Sequence, residues 1–137
     1  MNGGTMPKAE GKTFDFKSID SINPELLETI PFINKHLTTE TVITTVTEEF
    51  SAVCPFSGLP DVAKLIIKYI PDKKIVELKS LKYYVTTFRD VGVYQEQATH
   101  IIYNHLKQIL QTEKLIVTTI YKARGGFITT TEVGRLA

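Results

Sequence analysis

Between Thr41 and Val133 the apolar pattern changes period twice, and that double switch limits the fold more than any other feature. Thr41 to Phe50 is rich in β-branched residues, with Val42, Thr44 and Val46 alternating against Ile43, Thr45 and Thr47, as a strand requires. A turn-rich stretch comes next, Cys54-Pro55-Phe56-Ser57-Gly58-Leu59-Pro60-Asp61. Val62 to Ile70 reads as a second strand, with Ala63, Leu65, Ile67 and Tyr69 on one face, and Pro71-Asp72-Lys73-Lys74 makes a turn. The spacing then becomes helical. Leu78, Leu81, Val85 and Phe88 fall on one stripe, Gly92 interrupts, and Tyr94, Ala98, Ile101, Ile102, His105, Leu106, Ile109 and Leu110 mark a longer amphipathic helix. Leu115 to Tyr121 returns to strand character, Arg124-Gly125-Gly126 is a tight turn, and Phe127 to Val133 reads as a last strand.

The order ββααββ predicts an α+β fold, an antiparallel four-stranded sheet with two helices on one face. Such a sheet has two open edges, and pairing with further subunits would cover them, so an oligomer is expected. Ahead of the patterned region, residues 1–12 hold Gly3, Gly4, Pro7 and Gly11 without apolar periodicity, and Ser18 to Leu37 is broken by Pro24 and Pro31. The expected division is an arm and irregular lead-in over 1–37 and a folded domain over 38–137.

Bulk properties narrow the function. A chain of 137 residues with 42% hydrophobic residues suits one domain with its own core. A formal charge of +1 gives no broad basic field for nucleic acid. No apolar run approaches the ~18 residues that span a bilayer, and Met1 to Lys12 lacks the apolar core of a signal peptide. A cytosolic protein is expected. The single cysteine, Cys54, excludes an intramolecular disulfide and every multi-cysteine zinc motif.

Cys54 stands at a strand end before a Pro/Gly turn, either as a small buried apolar residue or as a reactive thiol. Asp61 lies at the other end of the same loop, where it is a turn-former or an acid facing the thiol across a pocket. Lys79 and Lys82 share a helix face, with Arg89 near the same stripe: a solvated face, or a ridge for phosphates. Glu96, beside Gln95 in the first turn of the second helix, stabilises the helix dipole or accepts paired hydrogen bonds from a guanine-like edge. Arg124 belongs to a hairpin turn, or meets a phosphate there. His36, His100 and His105 do not share a spacing suited to a metal with Cys54, and no metal site is expected.

Taken together, these segments resemble the short, single-module form of the 7-cyano-7-deazaguanine reductases, the QueF family, from about Val42 to Ile128. Glu77-Leu78-Lys79-Ser80-Leu81-Lys82-Tyr83-Tyr84 is similar to the family signature Glu-(Ser/Leu)-Lys-(Ser/Ala)-x-Lys-(Leu/Tyr)-(Tyr/Phe/Trp) at every defined position. Cys54-Pro55 with Gly58-x-Pro60-Asp61, then Phe88-Arg89, Gly92, Glu96 and Arg124-Gly125-Gly126, match in order and spacing. The resemblance implies the tunnelling fold for the catalytic domain, with subunits joined into barrel rings and active sites between them. It implies Cys54 as the nucleophile that forms a thioimide with the small-molecule nitrile, and Asp61 as the proton source. Glu96 and Gln95 with the Val76, Glu77 and Leu78 peptide would bind the base. Lys79, Lys82 and Arg124 would hold the phosphates of NADPH. The pathway implied is queuosine precursor synthesis, with no direct nucleic-acid contact and no membrane.

Two features depart from the family pattern. Gln95 stands where reductases often place a histidine, and few residues come after Arg124-Gly125-Gly126. Two alternatives remain: a QueF-like amidinotransferase of archaeosine synthesis, which keeps the cysteine and aspartate but uses no NADPH, and a non-catalytic purine-binding tunnelling-fold module. The lysine signature favours the reductase over the first, and retention of both Cys54 and Asp61 favours it over the second.

Overall fold

A computed structural model describes residues 6–137. The first part of the expected arm, residues 1–5, lies outside them. Two single 3₁₀ turns, Ile19–Ser21 and Pro24–Leu26, lead into strand β1 (Thr29–Pro31). Strands β2 (Ile43–Val53) and β3 (Pro60–Tyr69) form a long hairpin. Then come β4 (Lys74–Val76), helices α1 (Leu78–Thr86) and α2 (Gln95–Leu110), and strands β5 (Leu115–Tyr121) and β6 (Thr130–Arg135). The main sheet is antiparallel with order β2-β3-β5-β6, so β2 and β6 are its edges. The short strands β1 and β4 form a separate pair that the sequence pattern does not predict.

One core holds the sheet's inner face and both helices. Ala63, Leu65, Ile67 and Tyr69 on β3 are buried as the alternation predicts, and Leu115, Val117, Thr119 and Tyr121 do the same on β5. From α2, Ala98, Ile102, Leu106 and Leu110 pack onto them. Thr99 and Thr119 hydroxyls, both buried, bond each other at 2.6 Å and tie α2 to β5. From the α1 region Leu81, Tyr84 and Phe88 enter the core, whereas Leu78 is 60% exposed because it opens the helix at the protein surface. Ile22 and Leu27 of the lead-in join the same core.

The boundaries shift where local geometry overrides periodicity. β2 runs on to Val53 because a bulge reopens its pairing: Thr47 faces Leu65 but Phe50 faces Ala63, so two residues, Glu48 and Glu49, oppose Lys64 alone. Ahead of the bulge the odd positions Ile43, Thr45 and Thr47 face the covered side; beyond it Phe50 and Ala52 do. Cys54 continues that second parity. The last strand begins at Thr130 instead of Phe127, because Arg124 and Phe127 exchange backbone hydrogen bonds of 2.9 and 3.0 Å that close the glycine turn. Among the described residues no helix is long and apolar enough to cross a membrane.

Candidate active site

Cys54 and Asp61 are brought together by the pairing of β2 with β3. Ala52 lies opposite Asp61, and the ladder continues past the strand as the Cys54 N–H donates to the Leu59 carbonyl at 2.9 Å. Cys54 and Asp61 are therefore diagonal neighbours on one face of the hairpin. The Gly58 N–H closes the loop onto the Cys54 carbonyl at 2.9 Å. Gly58 has φ +73°, and a Cβ there would collide with the Phe14 carbonyl, so the turn and the close approach both demand glycine.

A cleft of about 430 Å³ has Cys54, Asp61, Gln95, Glu96 and Arg124 in its walls. Gln95 and Glu96 come from the first turn of α2, and Arg124 from the turn between β5 and β6. Phe56 and Tyr94, neither singled out from sequence, also line the cleft; their rings meet edge to face at 5.9 Å, and Phe56 is 71% exposed. A larger cleft, about 610 Å³, lies at the opposite end of the sheet around Thr38–Thr41, Asp72 and Thr112–Lys114, but it contains no nucleophilic thiol.

Cys54 is 8% exposed, yet its surroundings favour the thiolate. The Ser57 N–H is the main cause, with the Ser57 hydroxyl second; the Phe56 N–H and the Arg124 guanidinium add to it against the opposing effect of burial. The thiol is held down to about 7, so near neutral pH much of it is ionised. Asp61 moves the other way. Burial raises its pKa, opposed by Arg124, whose Nη1 lies 2.8 Å from Asp61 Oδ1. Arg124 thus braces both reactive groups while its side chain remains 52% exposed. A buried phenol completes the neighbourhood. Tyr121 Oη has no hydrogen-bond partner among the described residues, and its pKa is raised by burial and then by the Asp61 and Glu96 carboxylates.

The remaining candidates sit elsewhere. Glu77 caps α1, its carboxylate accepting from Lys79 N at 2.9 Å and Ser80 N at 2.8 Å, which lowers its pKa. The Val76 N–H donates to Tyr69 Oη and the Glu77 N–H to the Glu28 carbonyl, so both donors are occupied within the chain. Leu78 and Lys82 line a different groove, about 460 Å³, together with Leu81, Val85 and Arg89. Lys79 and Lys82 are exposed and form no ion pair among the described residues; the Lys79 charge adds to the lowering of the Glu77 pKa, and Lys79 Nζ stands 5.9 Å from the Tyr83 ring centre. Within one chain, then, Arg124 is grouped with the thiol and not with the two lysines. No group of three or more His, Cys, Asp or Glu suited to a metal occurs among the described residues, and His105 instead bonds the buried Tyr84 hydroxyl at 2.6 Å.

Known proteins align with this chain. A family model described as QueF-like protein matches residues 60–135. A Thermotoga petrophila protein named NADPH-dependent 7-cyano-7-deazaguanine reductase is 57% identical over 132 residues, 96% of this chain and 93% of that protein. A Caldicellulosiruptor bescii protein of the same name is 45% identical, over 89% of this chain and 92% of its own. Among solved structures, the apo crystal structure of the archaeosine synthase QueF-Like shares the fold with a TM-score of 0.66 at 17% identity, over 73% of this chain and 98% of that one. With more than half its length matched by the family model and close relatives aligned nearly end to end, this chain belongs to the QueF-like family.

Proposed function

We propose that this protein reduces the nitrile of 7-cyano-7-deazaguanine to an aminomethyl group with NADPH, in queuosine precursor synthesis. The carrying observation is a thiol biased toward thiolate beside a carboxyl biased toward its acid form, both in one cleft. The names of the similar proteins point to the same reaction. The Cys54 thiolate attacks the nitrile carbon, and Asp61 protonates the nitrogen, giving a thioimide bound through sulfur. NADPH, when bound, supplies one hydride to that carbon and a second molecule supplies another. Between the two deliveries the Cys54 sulfur leaves as thiolate, and a proton reaches nitrogen as each C–N π bond is lost.

The rest of the cleft positions the substrate. Glu96 accepts from the ring and exocyclic N–H groups of the base, with Gln95 beside it and Tyr94 and Phe56 against the ring faces. Lys79 and Lys82 hold cofactor phosphates; their exposure and the apolar groove beside Lys82 suit a nucleotide. Arg124 keeps Cys54 and Asp61 in register, with its open side available to a phosphate. The Val76-Glu77-Leu78 peptide reaches a base only in the cleft of a neighbouring subunit. A cytosolic ring of tunnelling-fold domains (residues 38–137, preceded by the lead-in 1–37), joined through the edges β2 and β6, would put the two halves of the site together.

The test mixes protein, nitrile and NADPH and tracks the nicotinamide absorbance. Loss of about two NADPH per nitrile supports the reading; a Cys54 adduct that forms while NADPH stays intact points instead to amidinotransfer. Replacing Lys79 and Lys82 together by alanine is expected to raise the KM for NADPH about ten-fold or more, with the KM for the nitrile nearly unchanged. An equal rise in both would remove the two lysines from the phosphate role.

A further inference from the structure

The loop that activates Cys54 is gripped from behind by the lead-in. The Phe14 N–H donates to the Ser57 carbonyl at 2.7 Å, and the Phe14 carbonyl presses on Gly58, where no Cβ would fit. Ser57 lies in the turn that the Gly58 N–H closes onto the Cys54 carbonyl at 2.9 Å, and its N–H and hydroxyl are the main causes of the lowered Cys54 pKa. One residue is thus held on its carbonyl side by Phe14 while serving the thiolate on the other.

The grip has a second anchor. The Lys17 N–H donates to the Asp90 carbonyl at 2.7 Å, and the Gly92 N–H donates back to the Lys17 carbonyl at 2.9 Å. The Phe16 ring occupies the space where a Cβ on Gly92 would stand. Gly92 in turn pairs with Val53, whose N–H donates to the Val91 carbonyl at 3.0 Å. Residues 14–17 therefore bridge the two segments that flank Cys54, the loop after it and the end of β2 before it.

We propose that Phe14–Lys17 is a positioning strap for the reaction, fixing the turn that runs from Cys54 through Ser57 to Gly58 and so the polar groups set around the Cys54 sulfur. The strap carries no group to the substrate; it acts through Ser57. The proposal rests on Cys54 being the nucleophile of the reduction proposed above. A loop of five or six residues with a left-handed glycine has several closed forms of similar energy, and an N–H that wanders loses most of its hold on an anion. Other charges facing the sulfur are Asp61 from β3, Glu96 from α2 and Arg124 from the β5–β6 turn. Asp15 of the strap, with Arg89 and Asp90 after α1, lines a separate groove beside Gly58. None of the charges in the Cys54 cleft is changed by cutting the strap, so a changed thiol reports on Ser57.

The experiment measures alkylation of the full-length chain by iodoacetamide across pH, read by intact mass; the single cysteine makes the signal unambiguous. Phe14→Pro deletes the N–H that holds Ser57, and Phe16→Ala removes the ring anchored at Gly92. Each is expected to raise the midpoint of the alkylation profile by about half a unit or more, which slows alkylation below the midpoint roughly three-fold. Phe16→Leu, which keeps an apolar anchor, should restore the wild-type profile. Unmoved midpoints in variants that remain folded by circular dichroism would reduce the strap to packing and overturn the proposal. If Phe14→Pro does not fold, the Phe16→Ala and Phe16→Leu pair decides by itself. Alkylation needs neither nitrile nor NADPH. A wild-type protein inert to the nitrile whose midpoint still depends on the strap therefore defeats the reductase reading alone.

Discussion

Cys54→Ala is expected to abolish the nitrile adduct and to lower NADPH-dependent turnover by ~10⁴-fold or more, because the cleft holds no second thiol and no other nucleophile of comparable strength toward a nitrile carbon. Intact mass after mixing with the nitrile alone gives the direct reading: a gain equal to the nitrile in the wild type and none in the variant. Cys54→Ser is expected to be nearly as inactive. The Ser57 N–H and its neighbours bring a thiol down to about 7, whereas an aliphatic hydroxyl starts far above the range they can reach. Adduct formation in the wild type should climb as pH rises through about 7, where the thiolate fraction grows, and then flatten. A variant without Cys54 that turned over normally would remove the sulfur from the mechanism altogether.

The second large effect separates catalysis from stability. Asp61→Asn keeps the shape of the side chain and its ability to meet Arg124 through oxygen, but it has no proton to deliver. Turnover is expected to fall by ~10²–10⁴-fold. Stability should not fall with it. Burial raises the Asp61 pKa, so its protonated form is the one that the folded state favours. That contribution is present below the unfolded-state pKa and is lost as pH rises through the higher folded-state value. Above that folded-state value the wild type carries an ionised, 5% exposed carboxylate that Arg124 offsets in part. A neutral amide avoids that cost, and the half-exposed Arg124 left behind is solvated. Thermal unfolding at neutral pH should show a midpoint equal to or above that of the wild type. A markedly lower midpoint would make Asp61 a structural anchor first and an acid second.

Those two residues are visible in the sequence because their chemistry is local. One loop separates Cys54 from Asp61, and a hairpin must bring its ends together whatever the rest of the chain does. The faces of β3 and of α2 are equally plain, since their buried residues repeat at regular intervals. Elements that depend on distant partners are not. β1 and β4 are three residues each, too short for a period to appear, and exist only because Thr29–Pro31 finds Lys74–Val76. Arg124 reads as a phosphate ligand in a glycine turn; its pairing with Asp61 arises from two strands that are neighbours only in the sheet. Glu77 lies in the clearest signature of all, but the signature does not reveal that its carboxylate caps α1. Phe56 and Tyr94 carry one sequence cue to their place in the cleft: large aromatic side chains in a turn and at a helix cap, where little core is available to hide them.

The doubled residue at Glu48–Glu49 gives the first arm of the hairpin one residue to spare. Chain length in the surface segments near residues 34–41 can drift at little cost, because a loop absorbs an extra residue without turning its neighbours over. In the first arm of the hairpin that tolerance is confined to the bulge. Loss of either glutamate would leave Thr47, one glutamate and Phe50 in plain alternation opposite Leu65, Lys64 and Ala63, and the sulfur would keep its side. Between Phe50 and Cys54 no doubled residue stands in reserve, and a residue lost there would turn the sulfur toward water.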